Sequence, residues 1–159
     1  MSVSSNEALQ LLQEGNKRFS TGEFATKDLG QARRDELIIK GQDPFAIIIT
    51  CSDSRVPPEL IFDSGLGDLF VIRTAGNVLD PVGMGSAEYA VEHLGTPLLI
   101  VLGHDKCTPY RPLWTAEKHR AVWRQLLPKL RPLLKRPGQQ GSRVMIFMKN
   151  AVWKTLKPL

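Results

Sequence analysis

The chain has 159 residues, 42% of them hydrophobic, and only two cysteines, which suits one domain with a real core and excludes a disulfide scaffold. Its net charge of +5 averages two unlike parts: residues 1–100 hold 8 Lys/Arg against 14 Asp/Glu, and residues 101–159 hold 13 against 2. The N-terminal "MSVSSNEALQLLQEGNKRF" has no signal-peptide core, and no stretch approaches the roughly 18 apolar residues of a membrane span, so a soluble protein with reduced thiols in the cytoplasm is expected.

In chain order, the first predicted element is an amphipathic helix over "SNEALQLLQEGNKRF", with Ala8, Leu9, Leu12 and Phe19 as its apolar residues, Ser5 or Asn6 as its cap and Gly15 as a weak point. A second helix is predicted over Leu29–Ile38. The period then changes. "FAIIIT" (45–50), "LFVIRT" (69–74) and "PLLIVL" (97–102) are short, nearly continuous apolar runs, the signature of strands covered on both faces. Between the last two, "GSAEYAVEHLG" places Ala87, Ala90, Val91 and Leu94 on one helical face, with Ser86 to cap it and Gly95 to end it. Strand, helix, strand implies a parallel sheet with a right-handed crossover. After Cys107, Val122, Leu126, Leu130, Leu133 and Leu134 trace a helical face that Pro128 and Pro132 interrupt. "RVMIFMK" (143–149) is left open between strand and helix. This last part carries all three tryptophans and six of the eleven prolines. It shows no zinc-finger spacing, glycine–arginine repeat or alternation of aromatic and basic residues, so no specific nucleic-acid partner is expected.

Ligands of open α/β sheets sit beyond the carboxyl ends of the strands. Three polar motifs fall there: "TCSDSR" with Cys51, Asp53 and Arg55, "RTAGN" with Arg73, Gly76 and Asn77, and "GHDKC" with His104 and Cys107. Two thiolates and an imidazole from neighbouring strand ends suit Zn²⁺, whose catalytic sites keep three protein ligands and one exchangeable position. The bland alternative is two buried thiols and an incidental histidine; the Asp-x-Arg beside them weighs against it. Arg73 and Asn77 are read as shaping the site mouth or stabilising a loop. Gly65, Gly67, Gly76, Gly83 and Gly85 are read as turn and close-approach glycines, without a G-x-G-x-x-G fingerprint. His93 and His119 are read as solvent-facing.

"CSDSRVPPELIFDSGLGDLFVIRTAGN", "GSAEYAVEHLG" and "IVLGHDKC" resemble the β-class carbonic anhydrases, from about Ala8 to Cys107. The resemblance implies an α/β fold with a parallel sheet core and flanking helices. It also implies a zinc lyase that reversibly hydrates carbon dioxide to bicarbonate and a proton through hydroxide generated on the metal. By that resemblance Cys51, His104 and Cys107 are the Zn²⁺ ligands, and Asp53 and Arg55 are the catalytic pair. Asp53 either orients the attacking water or, in a closed state, becomes a fourth ligand; pairing with Arg55 holds it off the metal. A homodimer or higher homo-oligomer is implied as well.

The resemblance stops after Cys107, where "TPYRP" stands in place of the glycine and small apolar residues of the family, and Pro109 redirects the backbone at Thr108. "NAVWKTLKPL" resembles the family helix that precedes a further strand. The expectation is therefore a single domain over 1–159: N-terminal helices (1–40), a zinc-site α/β core (41–107) and a divergent, basic, helical tail (108–159), with the usual last strands lacking and the C-terminal region atypical and truncated. Two other functions compete: a zinc-binding homologue with little or no activity, and a non-enzymatic interaction module using the basic tail.

Overall fold

The computed structural model describes residues 3–77, 79–104 and 107, together with the backbone of 143–147 and 154–155. The three apolar runs form β1 (Ala46–Cys51), β2 (Leu69–Thr74) and β3 (Leu98–Leu102). β1 pairs in parallel with β2 on one side, Ala46 opposite Leu69, and with β3 on the other, Ile47 opposite Leu99. The runs are continuous because both faces are covered. Ile47, Ile49, Leu99 and Val101 pack with Ile72 against Met84, Ala87, Ala90 and Val91 of helix α4 (Pro81–Glu92). Their neighbours Ala46, Ile48, Leu98 and Ile100 face Ala8 and Leu12 of helix α1 (Ser5–Thr21) and Phe62 on the opposite side. Burial of one such side chain is worth roughly 1.5–3 kcal/mol, so the alternation sets the register.

The caps differ from those expected by a few residues. Ser4 caps α1 in a reciprocal box with Glu7, whose carboxylate accepts from the Ser4 N–H at 2.8 Å. Helix α2 spans Gln31–Lys40, two residues later than expected. Helix α4 begins at Pro81, capped by Asp80, whose carboxylate accepts from the Gly83 N–H at 2.8 Å; Ser86 lies inside the helix and bonds back to the Val82 carbonyl instead. Gly95 follows it in the expected left-handed conformation, with φ 66°. A one-turn helix, α3 (Pro58–Ile61), lies between β1 and β2.

The α/β class and parallel core are as expected, but the sheet does not stop at β3. A fourth strand, β4 (Arg143–Phe147), pairs in parallel with β3, and the two-residue β5 (Lys154–Thr155) closes antiparallel on β4, giving the order β2-β1-β3-β4-β5. The expectation that the last strands are lacking, with a helical tail in their place, is corrected at these residues. β3 is apolar along its whole length and would present a bare ladder edge; the extended "RVMIF" supplies the partner, which resolves the open reading of 143–149 over its first five residues. The helical face from Val122 to Leu134, its prolines, the helix expected over "NAVWKTLKPL" apart from 154–155, and His119 lie outside the described residues. Among the described residues, no helix is long and apolar enough to cross a membrane.

α1 is stitched to the end of α3. Gly15 lies so close to Phe62 that a Cβ there would come within 1.8 Å of its carbonyl oxygen, and the Asn16 side-chain amide donates to the Ile61 carbonyl at 3.1 Å. Asp63, buried and in the left-handed region at φ 44°, accepts from Arg18 of α1, from Lys27 and from the Ala25 N–H. Arg18, then Lys27, hold its carboxyl well below the usual carboxylate range.

Two predictions follow from these contacts. Gly15→Ala should destabilise by about 1–3 kcal/mol or more, since the obstacle is backbone and cannot rotate away; Gly85→Ala, in open space on α4, should stabilise by roughly 0.5–1 kcal/mol, both read by urea unfolding. A depressed folded-state pKa stabilises above the unfolded value of about 3.9 and is lost as pH falls through and below it. Asp63→Asn should thus be less stable than the parent at neutral pH, and the gap should narrow in acid, followed by thermal melts against pH.

Candidate metal centre

β1 lies between β2 and β3, with β4 beyond β3, so the carboxyl ends of the adjacent parallel strands β1 and β3 stand side by side at one end of the sheet, where ligands of such sheets bind. The buried Thr50 ties these ends together, its hydroxyl donating to the Leu102 carbonyl at 3.1 Å.

Cys51 is the last residue of β1 and is buried. His104 is half-buried two residues past β3, and Cys107 is buried just beyond it. The ligand atoms of all three lie within 4.8 Å of one another, so the structure brings together the set expected from sequence. The two sulfurs are 3.8 Å apart. Tetrahedral zinc–thiolate bonds of about 2.3 Å place two sulfurs about 3.8 Å from each other. Two thiols and an imidazole at this spacing fit Zn²⁺ or a metal of similar softness.

The charges of the pair are unequal. Burial pushes the Cys107 thiol up, to about 11, and the neighbouring Cys51 sulfur adds to the shift. Burial also pushes Cys51 up, but hydrogen bonds from His104, the backbone of Asp53 and Gly76, and Cys107 outweigh it, so Cys51 ionises below the ordinary thiol range. Two like groups this close do not both ionise unaided; a cation between them removes the conflict.

Asp53 and Arg55 lie on the loop between β1 and α3. The Arg55 guanidinium grips the carboxylate as a fork, Nε to Oδ1 at 2.9 Å and Nη2 to Oδ2 at 2.8 Å, and its backbone N–H donates to Oδ1 at 2.9 Å. These bonds hold the Asp53 carboxyl well below the usual range and keep Arg55 above its own.

"RTAGN" contributes in a way the sequence did not reveal. Gly76 and Asn77 are both left-handed, φ 71° and 50°, and this turn aims the Gly76 N–H at the Cys51 sulfur, 3.2 Å away. Arg73 donates to the carbonyls of Cys51 and Asp53. Asn77 is buried within the turn. His93 is exposed at the end of α4, where it stacks on Tyr89 with ring centroids 5.2 Å apart. Thr108 and Pro109 lie outside the described residues.

A family model described as carbonic anhydrase matches residues 46–157. The chain is 51% identical over 100 residues to carbonic anhydrase 2 of Mycobacterium tuberculosis and 49% identical over 100 residues to a carbonic anhydrase of Mycolicibacterium smegmatis; each match covers 63% of this chain and 48% of the relative. The chain thus spans about half the length of the curated relatives it matches. The crystal structure of a β-carbonic anhydrase from Aspergillus fumigatus superposes with a TM-score of 0.55 at 22% identity, covering 94% of this chain and 90% of the other, a likeness of fold.

The donor set leads to a direct expectation. Purified protein should take up one Zn²⁺ or Co²⁺ per chain, and Cys51→Ser or Cys107→Ser should weaken uptake by at least tenfold in competition with a chromophoric chelator, since each removes a thiolate. Parent-like uptake by both variants would refute the assignment.

Proposed function

The chain belongs to the β-carbonic anhydrase family, and on that premise we propose that it reversibly hydrates carbon dioxide to bicarbonate and a proton, with Zn²⁺ held by Cys51, His104 and Cys107. The observation that carries the reading is the convergence of these three donors beside a carboxylate already held by an arginine. Bound zinc would supply Lewis-acid chemistry, lowering the pKa of water from about 15.7 toward 7 so that hydroxide is available near neutrality.

The rest falls to the side chains. Asp53 accepts a hydrogen bond from the attacking water or hydroxide and thereby turns an oxygen lone pair toward the carbon of CO₂. It can do so because it stays ionised, and Arg55 keeps it so by filling one edge of the carboxylate with donors. The same fork holds Asp53 back from acting as a metal ligand itself, leaving the fourth position exchangeable. The proton given up when water becomes hydroxide passes to solvent, and as the new C–O bond forms one C=O π pair of CO₂ moves onto its oxygen, giving bicarbonate.

Homo-oligomerisation belongs to the same reading. Ile38 and Ile39, adjacent near the end of α2, are 80% and 82% exposed, apolar area that a second copy would cover.

Stopped-flow CO₂ hydration on protein of measured zinc content tests the proposal. Chelator-sensitive turnover is expected. Asp53→Asn should retain zinc and lose about a hundredfold in kcat, and Arg55→Gln should lose a comparable amount by freeing the carboxylate. No turnover from protein carrying one zinc per chain would overturn the catalytic reading in favour of a metal-binding homologue.

A further inference from the structure

We propose that Arg73 is a positioning residue of this centre: its guanidinium ties the loop that carries Asp53 to the sheet, and so fixes where that carboxylate stands relative to the sulfur of Cys51. The inference rests on the reading above of Cys51 as a ligand and Asp53 as a catalytic residue.

β2 is the edge strand next to β1, with Arg73 opposite Thr50 and Thr74 opposite Cys51. The ladder makes one more bond past that register, from the Ser52 N–H to the Thr74 carbonyl at 2.9 Å, and then the strands separate. The Cys51 carbonyl needs a donor there, and the Asp53 carbonyl, which accepts from the Val56 N–H at 3.1 Å within the loop, keeps a second lone pair for one from outside it. One guanidinium serves both, Nε to the Cys51 carbonyl at 3.0 Å and Nη2 to the Asp53 carbonyl at 2.7 Å. The two nitrogens belong to one rigid plane, so the two carbonyls are held at a set separation and the path through Ser52 between them is set as well.

The fork of Arg55 on the Asp53 carboxylate is made within the loop, over a span of two residues, and orients that side chain. Of the hydrogen bonds described for Asp53, those with Arg55, Val56 and Cys51 stay within residues 51–56. The bond from Arg73 comes from another strand. Arg55 thus sets the direction of the carboxylate, and Arg73 sets its place.

Arg73→Lys is the informative variant, since it keeps the charge but offers a point donor in place of a fork. In the zinc protein, metal content should equal that of the parent, and kcat should fall about ten- to a hundredfold with KM nearly unchanged, the signature of a displaced catalytic group. In the Co²⁺ protein, the thiolate charge-transfer band should persist while the d–d bands shift, because a relaxed loop alters the ligand field at Cys51 or at the position beside Asp53. Arg73→Gln should give the same spectral shift, and far-UV circular dichroism on both variants checks that the sheet is intact. Parent-like d–d bands and kcat in Arg73→Lys would overturn the proposal and leave Arg73 as a source of charge; lowered melting temperature with parent-like spectra would leave it as a structural brace. The cobalt spectra need no turnover, so a parent chain without CO₂ hydration would sink the catalytic reading while the positioning of the metal site is still decided.

Discussion

β1 is hydrogen-bonded in parallel on both sides, and the structure is organised around the place where that pairing ends. A central strand of a parallel sheet has every backbone group satisfied along its length and loses both neighbours together at its carboxyl end. Here the loss occurs at Cys51–Asp53. The Ser52 N–H still donates to the Thr74 carbonyl, and the donors that arrive are the guanidinium of Arg73 and the N–H of Gly76, which goes to sulfur. Backbone satisfaction and construction of the candidate metal centre are one problem solved by the same few residues.

The burial of both sheet faces explains why the centre sits where it does. α1 and α4 cover the two faces of β1 and β3, which leaves the strand ends as the place where polar side chains can gather. The Asp63 cluster, with Arg18 and Lys27, holds α1 against the end of α3, and α3 follows directly on the loop that bears Asp53 and Arg55. The N-terminal helix therefore supports that loop through α3.

Much of this was legible in the sequence, and the parts that were not share a cause. Continuous apolar runs announced β1, β2 and β3 because two-sided burial leaves a signal in every residue. Cys51, His104 and Cys107 were legible because strand ends and donor chemistry coincide. The start of α4 was missed by six residues: Gly83 and Gly85 look like turn glycines, whereas Asp80 caps a helix that begins at Pro81 and tolerates them, Gly83 packing within 2.9 Å of Leu79 at its absent Cβ. β4 was undecided because "RVMIF" has no local feature that separates strand from helix; the open edge of β3, some forty residues earlier in the chain, decides it. Arg73 and Gly76 were visible as residues but not as partners of Cys51, since their contacts depend on the register of β2 against β1.

The two arginines of the centre show why charge alone does not describe it. Both are cations near the same carboxylate, and either one would steady an anion there by Coulombic attraction. Their contacts differ in kind. Arg55 spends its fork on the Asp53 side chain over a span of two residues, a contact that the loop would keep even if it swung away from the sheet. Arg73 spends its fork on main-chain carbonyls across strands, a contact that a swinging loop must break. Orientation within a mobile frame and placement of the frame are separate requirements, and a reaction between atoms held about 3–3.5 Å apart is sensitive to both. Planar, two-pronged donors meet both requirements, and a lysine at either position would keep the field while losing the geometry.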